Sequence, residues 1–333
     1  MLYEDRWIAP EVSNPSVFAK FSLVCKFSIH QPYCSKPITQ LIYKGNTLLT
    51  GDLEKTQKKR NAVVFGLTAD HIFAVACVMM DLKRIVPGLI DEVVIIHDGI
   101  SLKDQMILES ILPSRFILYD FPLISKRVLQ APSVLHFTKM IFTKFECLRL
   151  LDNYNNVAWM DYDIVIQSDM SELFSPSDSG FKIARGGVTV REQLIKPVAE
   201  YNMNAEGMGA HVFVVQDNLK KYTEMYRFCY TKLEEYAQVL FLPEQAIFDF
   251  MIQEFGVKPD FFDARVYGPH PRETADAMKA KIIHCWGQPK FWNGTHNVQW
   301  DANYSSWIKM GGSKYKAPSL VDKLWRKLKK IMH

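Results

Sequence analysis

The 333-residue chain has few of the features that assign a protein to a simple class. It has no run of about 18 apolar residues, so no membrane-spanning helix is expected. Its opening residues, Met1-Leu2-Tyr3-Glu4-Asp5-Arg6, carry no apolar stretch of the secretory kind, which points to a cytoplasmic location. None of its six cysteines, Cys25, Cys34, Cys77, Cys147, Cys229 and Cys285, forms a C-x-x-C pair, which disfavours a zinc ribbon or a thioredoxin-type centre. Cys77 and Cys147 sit in apolar stretches and read as small core residues, so reduced thiols are the simplest account. Charge of one sign is also scarce. Forty Lys and Arg against 36 Asp and Glu leave a net +4, without the dense basic face of a nucleic-acid binder. There is no internal repeat and no low-complexity segment. What is present is 48% hydrophobic and 13% aromatic content, enough for one large core or two closely packed lobes.

Along the chain, Phe21 to Ile29 alternates as a half-buried strand does, and Gln40 to Leu49 reads as a hairpin around Gly45-Asn46. The charged run Glu54 to Arg60 suggests a surface connection. From Asn61 a different rhythm begins. Buried strands are predicted at Ala62 to Leu67, Val93 to His97, Arg115 to Tyr119 and Asn156 to Met160, with helices over 72–86, 101–111 and 137–151. Strand and helix in alternation imply an α/β fold with a mostly parallel central sheet flanked by helices. Residues 180–210 look loop-rich, with five glycines. Val212 to Val215 reads as a strand, 217–239 and 244–255 as helices, and 257–300 as irregular. Finally, Leu320, Val321, Leu324, Trp325, Leu328, Ile331 and Met332 share one helical face, with five basic residues on the remainder and Pro318-Ser319 as a plausible start.

Asp161-Tyr162-Asp163 is the central chemical feature. It follows the apolar Val157-Ala158-Trp159-Met160 and precedes Ile164-Val165-Ile166. Two carboxylates one residue apart at the end of a buried strand can face one cleft if the chain bends there. Hard oxygen ligands of this kind suit Mn²⁺ or Mg²⁺, and open α/β sheets bind ligands beyond the carboxyl ends of their strands. A bare D-x-D is weak evidence, since about one is expected by chance at average composition, and a solvated turn is the alternative. Acids between two apolar runs, however, must be paired or coordinated.

The stretch Trp159-Met160-Asp161-Tyr162-Asp163-Ile164-Val165-Ile166, followed by Leu173-Phe174, resembles the signature of the family 8 retaining glycosyltransferases, which include glycogenin and bacterial lipopolysaccharide galactosyl- and glucosyltransferases. Four more segments agree in order: Phe65-Gly66-Leu67-Thr68-Ala69-Asp70, His97-Asp98-Gly99-Ile100-Ser101, Thr143-Lys144-Phe145-Glu146-Cys147, and His284-Cys285-Trp286-Gly287-Gln288-Pro289-Lys290-Phe291-Trp292. The match covers about residues 61–293. It implies a GT-A type nucleotide-sugar-binding fold, with residues 1–60 as an N-terminal extension, 61–300 as the catalytic domain and 301–333 as a tail carrying the basic amphipathic helix.

The resemblance also implies roles. Asp161 and Asp163 would hold Mn²⁺ and the donor diphosphate, with Asp161 also near the ribose, and His284 would supply a third protein ligand. Lys290 would pair with a phosphate, and the Gly287 backbone would lie close to the diphosphate. Leu67, Thr68 and Asp70 would contact the uridine of a UDP-sugar, and Lys144 would reach toward the donor sugar or ribose. Glu244-Gln245 stands where the family often has Asp-Gln, giving a catalytic pair whose carboxylate is one methylene longer. The family's N-x-G motif is not met in register, because Gly209-Ala210-His211 precedes Val212 without an asparagine; Asn202 and Asn204 upstream are alternative candidates for its role. Each residue also admits a structural reading. His284 can be a core histidine, Lys290 and Lys144 surface charges, Asp70 a helix cap, and Glu244 a first-turn acid favoured by the helix dipole.

The implied function is metal-assisted transfer of a hexose from a UDP-sugar to a glycan or lipid-linked saccharide of the cell envelope. The amphipathic face Leu320 to Met332 would rest on an anionic membrane surface, making the enzyme cytoplasmic and peripheral, unless that face docks on the domain itself. Two alternatives are a nucleotidyltransferase on a related sheet and a non-catalytic carbohydrate-binding protein. The first usually needs a basic glycine-rich loop after the first strand, which Gly66-Leu67-Thr68-Ala69-Asp70 is not.

Overall fold

The sheet is laid down from its centre. In a computed structural model, residues 59–123 and 125–317 are described. The strand and hairpin expected before residue 50 and the amphipathic segment Leu320 to Met332 lie outside them. β1 (Lys59–Leu67), α1 (Ile72–Ile85), β2 (Glu92–His97), α2 (Leu102–Ile111) and β3 (Ser114–Leu118) form two consecutive parallel crossovers. Short helices α3 (Lys126–Leu129) and α4 (Pro132–Phe137), a 3-10 stretch (Lys139–Phe145) and α5 (Glu146–Leu150) lead into β4 (Tyr154–Met160), which pairs parallel to β1 on its other side. After β5 (Ile164–Ile166) come β6 (Phe181–Thr189), β7 (Glu206–Gln216), α6 (Tyr222–Tyr236), α7 (Pro243–Phe255) and β8 (Asp260–Phe262). Then α8 (Ala264–Tyr267), α9 (Thr274–Ala277), β9 (Ile282–His284) and α10 (Val298–Lys309) complete the described chain.

The main sheet has seven strands in the order β3-β2-β1-β4-β7-β6-β8. Only the pairings of β7 with β4 and with β6 are antiparallel; the other four are parallel. Alternate residues of β1 face opposite ways and both faces are buried, as a sheet covered by helices on each side requires. Ala62 and Val64 join a core with Phe145, Leu148, Phe213 and Phe248, whereas Val63, Phe65 and Leu67 join one with Phe73, Met79, Trp300 and Trp307. Through those two tryptophans α10 packs with α1 in one core, and the buried Asp81 carboxylate accepts from Asn303 at 2.7 Å to tie the two helices. No helix among the described residues is long and apolar enough to cross a membrane.

Three stretches differ from the sequence expectation, the last being 257–300, expected as irregular, which holds β8, α8, α9, β9 and the start of α10. Residues 137–151, expected as one helix, form the 3-10 stretch and then α5. The Thr143 hydroxyl bonds back to Met140 O at 2.6 Å, a local bond that competes with regular helix. Residues 180–210, expected as loop-rich, hold β6 and the start of β7, while the stretch between those strands is a 3-10 turn (Val190–Gln193) and irregular chain, as expected. The glycines of the two strands serve close strand approach: a Cβ on Gly186 would lie 2.9 Å from both Gly207 O and Met208 O, and the register shifts on either side of Arg185 mark bulges.

Candidate active site

The site forms where the chain leaves β4. β4 and β7 pair as far as Met160 and Val212, and one step further the Asp161 N–H donates to His211 O at 2.8 Å. The chain then turns through Tyr162 into β5. That strand is antiparallel to β9 in a separate two-stranded sheet, with Ile164 opposite His284. Cys285 N donates to Asp163 O at 2.9 Å, which continues the pairing past the strand ends. This small sheet is what brings His284, over a hundred residues later, to the two aspartates. His284 Nε2 lies 3.3 Å from Asp163 Oδ1 and 3.7 Å from Asp161 Oδ2. One ligand atom from each of the three residues lies within 4.8 Å of the others, an arrangement that can hold a metal ion.

Two lysines flank the triad. Lys290 Nζ contacts Asp163 Oδ2 and donates to Cys285 O at 2.8 Å. Lys144, from the 3-10 stretch, lies 3.3 Å from Asp161 Oδ1 and 3.0 Å from Glu244 Oε1. Asp161 Oδ1 also accepts from the Trp159 indole N–H at 2.8 Å. Burial alone would raise the Asp163 carboxyl, yet the neighbouring His284 and Lys290 hold it well below the usual carboxylate range. Burial alone would lower Lys144, but Asp161 and Glu244 push it above the ordinary lysine value. Both groups therefore stay charged near neutrality.

The expected uridine turn sits at the end of β1. Leu67 is buried there, and the Thr68 hydroxyl donates to Asp70, whose carboxylate also meets His71 Nδ1 at 3.0 Å. The His71 contact, aided by Thr68, depresses the Asp70 carboxyl against a smaller opposing effect of burial. The His71 ring stands 5.3 Å from Tyr162, the middle residue of the D-x-D, so this turn and the acidic triad share one rim. Gly66 allows the rim to close: a Cβ there would meet Thr143 Oγ1 at 1.7 Å and the Trp159 ring at 2.7 Å. Glu244 is buried in the first turn of α7, and its Oε2 has no hydrogen-bond partner among the described residues. Gln245 follows it, half-buried. Gly287, at φ +70°, lies on the loop between His284 and Lys290 with open space where a Cβ would stand.

Asp161, Asp163, His284, Lys290, Lys144 and Glu244 thus converge, and Leu67, Thr68 and Asp70 form the neighbouring turn. Sequence reasoning did not single out His211 as a site residue. Its ring stacks on His284 with centroids 4.8 Å apart and 13° between planes. Burial, with His284 beside it, lowers its pKa to about 3, so it is neutral. The Tyr162, His71 and Trp292 rings cluster beside the triad and were also missed. Only the aromatic third position of the Lys290-Phe291-Trp292 run hinted at them.

Comparison with known proteins agrees with this geometry. No curated protein matches the chain in sequence. Among solved structures, it superposes on the galactosyltransferase LgtC in complex with donor and acceptor sugar analogs at TM-score 0.55 and 13% identity, over 78% of this chain and 98% of that one. An active-site mutant of LgtC gives TM-score 0.57 at 13% identity, with the same coverage. The apo bifunctional glycosyltransferase WbbM gives 0.55 and 13% over 77% of this chain, which spans about half (51%) of that protein. At such identity these likenesses establish the GT-A fold. The model for glycosyl transferase family 8 matches residues 62–296, most of the chain, so the protein belongs to that family and is a glycosyltransferase.

Proposed function

We propose that the chain transfers a hexose from a UDP-sugar, with metal assistance and retention at the anomeric carbon, to a glycan or lipid-linked saccharide. The observation that carries this reading is the meeting of Asp161, Asp163 and His284 within 4.8 Å, flanked by Lys290 and Lys144. Two carboxylates and one imidazole suit Mn²⁺, or Mg²⁺, with positions left for diphosphate oxygens. When bound, such an ion acts as a Lewis acid toward the departing diphosphate.

The chain's own residues supply the rest. Lys290, held beside Asp163, pairs with a phosphate of the donor in this reading, and Gly287 leaves the backbone free of a side chain where it nears the diphosphate. The depressed Asp70 carboxyl is ionised and accepts from the uridine, with Thr68 next to it and Leu67 beneath. Lys144 reaches toward the donor sugar or ribose from between Asp161 and Glu244. The unpaired Glu244 Oε2 is an acceptor suited to a sugar hydroxyl, and Gln245 stands beside it. A carboxylate there also favours the positive charge that develops on the anomeric carbon.

For the acceptor, the basic amphipathic segment Leu320 to Met332 supports a peripheral position on the inner face of a membrane, beside a lipid-linked saccharide of the lipopolysaccharide type. Nucleotidyl transfer would release pyrophosphate instead of UDP. The decisive experiment is a screen of UDP-sugars for metal-dependent UDP release, which needs no known acceptor. Release that vanishes in Asp163→Ala and in His284→Ala is expected. Unchanged turnover in both variants rejects the assigned site.

A further inference from the structure

We infer that His211 is a positioning residue whose imidazole, stacked on His284, fixes the plane in which His284 presents Nε2 to the cation site. The inference rests on the reading that Asp161, Asp163 and His284 hold a divalent cation.

A histidine ligand is ordinarily oriented through its second nitrogen, which donates to a carboxylate, carbonyl or water. His284 differs. Among the described residues, its side-chain polar contacts are all made by Nε2, toward Asp161 and Asp163. Its backbone is pinned by the pairing with Ile164 and by donation to Pro269 O at 3.1 Å. Neither contact fixes rotation of the ring about its own bond. The near-parallel His211 ring, 4.8 Å away and 13° off plane, does.

His211 is itself held by three contacts. Its Nε2 lies 2.9 Å from Tyr267 O, which sets the tautomer with a proton on Nε2. Its backbone carbonyl accepts from Asp161 N at 2.8 Å, so one residue touches the segments carrying two of the three ligands. Gly268 crowds the same Nε2 edge: a Cβ there would lie 2.1 Å from His211 Nε2, so no side chain at 268 leaves the imidazole in place. His211 is the last residue of Gly209-Ala210-His211, the triplet standing in register with the family's N-x-G motif but without its asparagine. The departure from the motif and the unusual support of His284 are thus one feature.

Binding of Mn²⁺ alone to the full chain, with the free ion read by EPR, tests this without the sugar reaction. His211→Ala is expected to weaken Mn²⁺ affinity by about tenfold or more, the scale for residues that orient a ligand. His211→Phe keeps a stacking ring and should stay near the wild-type affinity. Gly268→Ala, pressing on the Nε2 edge of the ring, should weaken binding as the alanine variant does. Should His211→Ala not fold, as judged by its thermal transition, His211→Gln, which keeps a donor for Tyr267 O but not the ring plane, is read in its place. Wild-type affinity in the ringless variant, or a phenylalanine variant as weak as it, overturns the inference and leaves the cation site standing. Failure of the wild-type chain to bind Mn²⁺ overturns both.

Discussion

The Lys144 ammonium lies 3.0 Å from Glu244 Oε1, joining two buried side chains that are 100 residues apart in sequence. Lys144 leans on Asp161 as well, at 3.3 Å, so the pair links the first turn of α7 to the D-x-D. A buried pair of this kind is weak evidence of net stability, but removing one partner strands the other. Glu244→Ala should therefore cost about 3–5 kcal/mol in denaturant unfolding, in proportion to how far Asp161 fails to compensate. Lys144→Met in a Glu244→Met background should recover most of that loss while donor turnover stays low. Recovery of turnover together with stability would show the pair to be structural only.

A smaller device sits beneath the same site. Because a Cβ on Gly66 would fall 1.7 Å from Thr143 Oγ1 and 2.7 Å from Trp159, Gly66→Ala must displace the wall that positions Asp161. Overpacking of this sort typically costs about 1–3 kcal/mol. Thr143→Ala removes the nearest atom but leaves the Thr143 Cβ position 2.8 Å away, so the double variant should regain part of the stability and not all of it. Additive losses, measured by urea unfolding of the two single variants and the double, would contradict the contact.

What the sequence made legible follows from the range of the interactions involved. The strands at Ala62 to Leu67, Val93 to His97 and Asn156 to Met160 are short apolar runs buried on both faces, and each was visible as such. The D-x-D, His284 and Lys290 were legible as a set through their order and the family pattern. The β5–β9 sheet that brings them together was not, since three-residue strands leave almost no periodicity. The strand at Val212 to Val215 was legible, but β6 and the first half of β7 were hidden by their glycines, which signal turns in isolation but here admit a neighbouring backbone. His211 was hidden because its importance lies in a ring contact with a residue over seventy positions away, and no local pattern encodes that.

Lys290 gives a kinetic test of phosphate binding. Its ammonium contacts Asp163 Oδ2 and donates to Cys285 O, so its aim depends on the loop after β9. A hydrogen bond to a charged group contributes about 1.5–3 kcal/mol. Lys290→Met should thus lower kcat/KM for the UDP-sugar by roughly 10- to 100-fold. If the lysine acts on the leaving group as charge develops, kcat falls as much as kcat/KM. A rise in KM at constant kcat would mean uniform binding only.

Asp249 carries a prediction about pH and stability that does not involve the sugar reaction. It lies in α7, almost fully buried, and Met208 N donates to both of its oxygens at 3.2 and 3.3 Å. Burial raises its pKa from 3.8 to about 7, with the Met208 bond pulling the other way. Between these values the folded protein keeps a proton that the unfolded chain has released. Stability contributed at this residue is therefore greatest below the unfolded value, falls as pH rises from about 4 to 7, and levels off above. Full expression of the shift corresponds to a few kcal/mol as an upper bound, because α7 can relax and admit water. Asp249→Asn keeps an acceptor for Met208 N and cannot ionise. It should flatten the stability profile over that window and make the variant more stable than the wild type at pH 8. Equal slopes for the two proteins in denaturant midpoint against pH would show that Asp249 is ionised in the fold at neutral pH, and that α7 is anchored to β7 by a buried charge.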